Sequence, residues 1–119
     1  MSAMAVVTLL LAFMPERPDG DVNDRLVLQL PLSATGHIDN AAYTVDSDAW
    51  RYARERPDGG VSHGAISPSA GGWTLQDDAS DGDAAEELAG SVVRPGDYMI
   101  VRTRAAGDRV YRIVSVEPG

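Results

Sequence analysis

Between Arg25 and Leu32 the chain alternates, with Leu26, Leu28, Leu30 and Leu32 separated by Val27, Gln29 and Pro31. A period of two gives a strand one leucine face for a core, and Pro31 places the end of that strand at an edge or a bulge. From Ala3 to Met14 the chain is apolar apart from Thr8, and Val6, Val7, Leu9, Leu10, Leu11 and Phe13 fill both parities. This predicts a strand covered on both faces. Near the C-terminus, Asp97–Arg104 and Arg109–Glu117 flank the link Ala105-Ala106-Gly107-Asp108. Runs rich in Tyr, Ile and Val around a short Gly-containing link predict a hairpin. A register symmetric about the link sets Ile100 against Ile113 and Arg102 against Tyr111.

The remaining segments are read from their punctuation. Pro18-Asp19-Gly20 and Pro57-Asp58-Gly59 are turn chemistry, because proline presets φ and glycine supplies a positive one. Residues 46–56 fit either a helix, with Asp46 and Asp48 at its start and Pro57 as its stop, or a strand alternating Trp50, Tyr52 and Arg54; the strand is preferred. The stretch 62–73 is rich in Gly, Ser and Ala around Pro68. It predicts a loop between short strands near Ala65-Ile66 and at Trp73–Gln76. Asp83-Ala84-Ala85-Glu86 has the form of a capping box and Gly90 that of a C-cap, so residues 83–90 are expected to form one short helix. These elements predict a mainly β fold over 1–119 as a single β-rich domain: a small antiparallel barrel or sandwich of about six or seven strands with one short helix.

Composition narrows the chemistry. The chain has no cysteine, which removes disulfides, thiolate nucleophiles and cysteine-ligated metals. Its ten cations are all arginine, so Schiff-base and P-loop lysines are excluded. A net charge of −8 argues for solubility and against direct nucleic-acid binding, which rests on cationic contacts to phosphate. The apolar N-terminal run lacks a basic leader and a small-residue cleavage site, and it is too short to span a bilayer as a helix. Neither a signal nor a membrane association is expected, and the absence of cysteine fits a cytoplasmic setting.

The densest charge feature places Asp77, Asp78, Asp81, Asp83, Glu86 and Glu87 within eleven residues. Asp77, Asp81 and Gly82 match three positions of a calcium-binding loop, but Ala79 and Leu88 stand where two further ligands belong. No metal site and no cofactor is therefore expected. The opposite sign collects on the C-terminal hairpin at Arg102, Arg104 and Arg109. Contact between the two segments, within one chain or across an interface, is the expectation, and a basic protein is the external alternative.

Catalytic signals are sparse. The two histidines are His37 and His63, Gly-x-Ser-x-Gly is absent, and Ser62-His63-Gly64 sets suitable residue types side by side without implying geometry. The leading expectation is a non-catalytic interaction or assembly module that self-associates, since the strands at 4–14 and 97–117 are apolar on both parities. One alternative is a small enzyme or ligand-binding protein with its site on loops around His37, Asp39 and His63, with Trp50 as a platform. Another is an acidic protein that imitates nucleic acid.

Overall fold

The computed structural model describes residues 3–15, 17–39, 50–69, 72–78, 86–90, 92–103 and 107–118. Among them eight strands follow one another: β1 (Ala3–Phe13), β2 (Asp21–Leu32), β3 (Arg51–Glu55), β4 (Val61–Ser69), β5 (Gly72–Asp77), β6 (Glu86–Ala89), β7 (Tyr98–Thr103) and β8 (Gly107–Pro118). Each is antiparallel to its neighbour in sequence, and β8 returns to pair with β1, closing a barrel. Closure gives every strand two partners and removes the sheet edges. No helix among the described residues is long and apolar enough to cross a membrane.

The barrel form is the expected one, with more strands than sequence counting suggests and no helix among the described residues. Glu86–Ala89 is strand β6, bridging β5 and β7. Leu88 there is fully buried, so filling the interior and completing the ring outweigh the helical punctuation; residues 83–85 lie outside the described set. The stretch expected as a loop is two paired strands, because β4 runs on to Ser69 and β5 begins at Gly72. Residues 51–55 form a strand, as preferred, while 46–49 lie outside the described residues.

The C-terminal hairpin is present in a different register. Ile100 faces Val110 and Arg102 faces Asp108, while Tyr111 lies opposite Met99. The offset from the symmetric register is odd, so it exchanges the two faces of one strand relative to the other. The observed pairing buries Met99, Val101, Tyr111 and Ile113 together, whereas the symmetric one sets outward Ile100 against inward Ile113.

The period-two pattern explains the core. Inward positions supply Val7, Leu9 and Leu11 from β1, Leu26, Leu28 and Leu30 from β2, Ile66 from β4, Leu75 from β5, and Met99 and Ile113 from the closing hairpin. These side chains fill an eight-stranded barrel, whose interior is about wide enough for side chains alone. Trp50 is buried in the same cluster at 1% exposure. Pro31 is tolerated because the β2–β3 pairing ends at Gln29; its carbonyl instead accepts a hydrogen bond from the Asp39 amide at 3.0 Å.

Gly64 is required by a close approach. A Cβ at this position would overlap the Gln76 carbonyl on β5 and press on the Tyr52 ring from β3. Gly64→Ala is expected to lower unfolding stability by about 1–3 kcal/mol, the usual cost of forcing an extra group into a packed interior. Urea denaturation checks this; an unchanged midpoint would show that the Gln76 carbonyl and the Tyr52 ring both give way at no cost.

Candidate functional site

In an antiparallel meander alternate turns gather at the same end, so the β1–β2, β3–β4, β5–β6 and β7–β8 links share one mouth of the barrel. At this mouth the inward positions change from apolar to charged. Asp24 continues the leucine face of β2, Arg54 follows Tyr52 on β3, Glu86 precedes Leu88 on β6, and Arg109 precedes Tyr111 on β8. Four charges from four strands therefore converge in sign order: Asp24, Arg54, Glu86, Arg109.

The Asp24 end is tightly held. Tyr111 Oη donates to Asp24 Oδ1 at 2.8 Å; Arg54 Nη2 donates to Oδ2 at 3.2 Å and Arg54 Nε approaches Oδ1 at 3.4 Å. The Glu86 end is looser. Arg54 Nη1 lies 3.7 Å from Glu86 Oε1, and Arg109 Nη1 lies 3.7 Å from Glu86 Oε2. Both are ion pairs beyond hydrogen-bond length. Glu86 Oε2 and the Arg109 Nε and Nη1 atoms are buried and have no hydrogen-bond partner among the described residues.

The surroundings hold the two phenols neutral. Burial, and behind it the charges of Asp77, Glu86 and Asp78, push the Tyr52 pKa up to about 12, with Arg54 opposing. Burial also raises the Tyr111 pKa, partly offset by Arg54 and reinforced by the charge and hydrogen bond of Asp24. Desolvation works against the Arg54 charge. Tyr111, the Asp24 hydrogen bond and the Asp24 and Glu86 charges outweigh it and raise the Arg54 pKa. The carboxylates are neutralised by guanidinium groups and neither tyrosine is prepared as a base or nucleophile at neutral pH.

The opposite end of the barrel carries an open, largely apolar cleft of about 770 Å³, lined by Met4, Leu32, His37, Val93, Arg94 and Val116 among others. Its wall is a hooked loop after β2. Ser33 and Gly36 are joined by a backbone hydrogen bond of 3.0 Å, and the His37 carbonyl accepts from the Ser33 amide at 2.8 Å. Gly36 has φ +84° and its carbonyl accepts from the Val93 amide at 2.7 Å; glycine takes this left-handed conformation without a steric penalty. Side chains brace the hook: Ser33 Oγ lies 3.0 Å from Thr35 Oγ1, which lies 2.9 Å from His37 Nδ1.

The residues singled out in the sequence are thus distributed. His37 is exposed on the cleft, and Asp39 follows it with its amide on Pro31. Trp50 is in the core, which rules it out as an open platform. His63 points outward from β4 into a separate hollow of about 250 Å³ shared with Gln29 and Arg51, so it does not join His37. Asp78 pairs with Arg51 and its amide donates to the His63 carbonyl at 2.9 Å. Asp77 lies among the charges that act on Tyr52. Glu87 sits opposite Arg102 across β6 and β7, and Glu86 reaches Arg109 inside the mouth. Asp81, Asp83 and Arg104 lie outside the described residues. No group of three or more His, Asp or Glu side chains among the described residues is placed to hold a metal ion.

Sequence reasoning missed Asp24, Arg54, Tyr52 and Tyr111. A usable signal was present: each shares the parity of buried apolar neighbours on its own strand, as Asp24 does with Leu26 and Leu28. No family model, curated protein or solved structure matches this chain.

Proposed function

We propose that the protein is a non-catalytic binding module that takes a small, largely apolar molecule in the cleft at the His37 end. The observation that carries this reading is the contrast between the two ends of the barrel. At the mouth, charged groups engage one another and the phenols stay protonated. At the other end an open hollow of about 770 Å³ is largely apolar. Its volume falls within the range of about 300–1,000 Å³ typical of small-molecule sites, which combine an apolar lining with a few placed polar groups. Here those polar groups are His37, braced by Thr35, and Arg94, whose stem packs near Gly36. A closed barrel supplies a rigid frame for such a site.

Titration with 2-naphthol, followed by amide chemical shifts, tests the proposal. The expected result is saturable binding with a dissociation constant between about 10 µM and 1 mM, with shifts concentrated at Leu32, Gly36, His37 and Val93. Ala34 is exposed on the cleft wall, and Ala34→Trp is expected to fill the hollow and weaken binding about tenfold or more. Shifts centred on the charged mouth, or none at millimolar ligand, would refute the assignment.

A further inference from the structure

The outer face centred on β1 has a pattern of apolar and charged positions set by the strand register. Val7, Leu9 and Leu11 point inward, so Val6, Thr8 and Leu10 point outward, each between a residue of β8 and one of β2. Register places Glu117 and Gln29 beside Val6, Ser115 and Val27 beside Thr8, and Arg112 and Arg25 beside Leu10. The bulge between Thr8 and Leu9 on the β8 side keeps Arg112, Ser115 and Glu117 on this face while Val116 packs against the core. The face thus has an apolar ridge, Val6 and Leu10, with a basic row at one end and an acidic and polar row at the other.

We infer that this face is the interface of a two-fold symmetric homodimer. Two copies packed face to face about an axis that crosses β1 at Thr8, perpendicular to the strand, bring Leu10 of each onto Val6 of the other. Thr8 then meets Thr8 and Val27 meets Val27. The same operation sets Arg112 against the partner's Glu117 and Arg25 against the partner's Gln29. An isologous interface needs a self-complementary patch, and this one is complementary in both charge and apolar positions. Charge also selects the axis. A two-fold parallel to β1 would set Arg112 against the partner's Arg25, a like-charge contact that costs affinity.

Neither Arg112 nor Glu117 has an ion-pair partner within the chain among the described residues, and both are exposed. Among the described residues Arg25 has a long, solvent-exposed contact of 3.9 Å to Glu55. Val6, Leu10 and Val27 are half-buried and available for contact. This inference rests on register, exposure and charge and not on what the cleft binds; Glu117 also borders the cleft while Arg112 does not, so Arg112→Glu keeps the two readings apart.

Sedimentation velocity over a concentration series, with circular dichroism to confirm the fold, tests it. The parent is expected to dimerise, more weakly as salt is raised. Arg112→Glu and Glu117→Arg are each expected to weaken the dimer by on the order of tenfold or more, because each creates a pair of like charges. The double variant Arg112→Glu/Glu117→Arg restores the pairing with its polarity reversed and is expected to recover dimerisation. A parent that stays monomeric at millimolar concentration overturns the inference, as does a dimer indifferent to both single variants or one that the double variant fails to rescue. Cleft binding of 2-naphthol is read separately and decides only the proposal above.

Discussion

Arg54→Met is expected to destabilise the fold by about 3–5 kcal/mol, the cost of removing one partner from a buried charge pair. Asp24 is 4% exposed and receives two guanidinium contacts from Arg54. Without them, among the described residues, it keeps the Tyr111 hydroxyl and Glu86 keeps the looser Arg109 contact. The loss comes from leaving carboxylates without a counter-charge, so removing the carboxylate as well should return much of it. The double variant Asp24→Leu/Arg54→Met is accordingly expected to be more stable than Arg54→Met alone. Urea unfolding of the parent, the two single variants and the double variant forms the necessary cycle. Strictly additive losses would show that Asp24 and Arg54 are not coupled and that the mouth is more hydrated than its burial implies.

The cluster also shows what period-two reading can and cannot reach. Alternation along Arg25–Leu32 and the Tyr, Ile and Val content of the C-terminal hairpin were enough for a mainly β fold, because half-buried strands must present one apolar face. The number of strands was harder to read. β6 is four residues long, and its apolar inward residue Leu88 sits among acids and alanines that resemble a helix start. Its strand state comes from barrel closure, a non-local demand. Register in the last hairpin depended on which face had to be buried, and a turn symmetric in sequence did not reveal it. The mouth was illegible for a related reason: Asp24, Arg54, Glu86 and Arg109 come from four strands, and their meeting follows from ring order. His37 and His63 failed to meet for the converse reason, since β4 presents His63 outward while the hook after β2 sets His37 at the far cleft.

Burying charge in a barrel this small has a structural rationale. A purely apolar mouth would hold the same strands, yet a slip of two residues in β2, β3, β6 or β8, which keeps the inward face inward, would then cost little at that end. With an alternating chain of charges, such a slip in any of the four strands separates unlike groups by two residues, about 6–7 Å. Polar contacts of this kind specify arrangement more reliably than they add stability. The tight Asp24–Tyr111 end ties β2 to β8 on either side of β1.

The protein is expected to lose stability steeply in alkali, between about pH 10 and 12, and the cause is the pair of buried phenols rather than the arginines, whose ordinary pKa is above about 12. A tyrosine in the unfolded chain ionises near pH 10, whereas Tyr52 in the fold is held neutral up to about 12 and the Tyr111 pKa is also raised. At an intermediate pH the unfolded state therefore binds fewer protons than the folded one, and stability falls as pH rises. The contribution is fully present below the unfolded pKa and gone above the folded one. The raised Tyr52 pKa sets the direction of this loss, and Tyr111 adds to it in the same direction. The measurements are urea midpoints from neutral pH to about pH 12, together with tyrosinate absorbance, which should rise in step with unfolding. Tyr52→Phe is expected to flatten the decline because it removes one of the linked protons while preserving the ring against Gly64. Tyr111→Phe also removes the donor to Asp24, and is expected to cost about 1–3 kcal/mol already at neutral pH. Buried tyrosines that ionise near pH 10 in the intact fold, with the urea midpoint unmoved, would contradict both the linkage and the dryness of the mouth on which it depends.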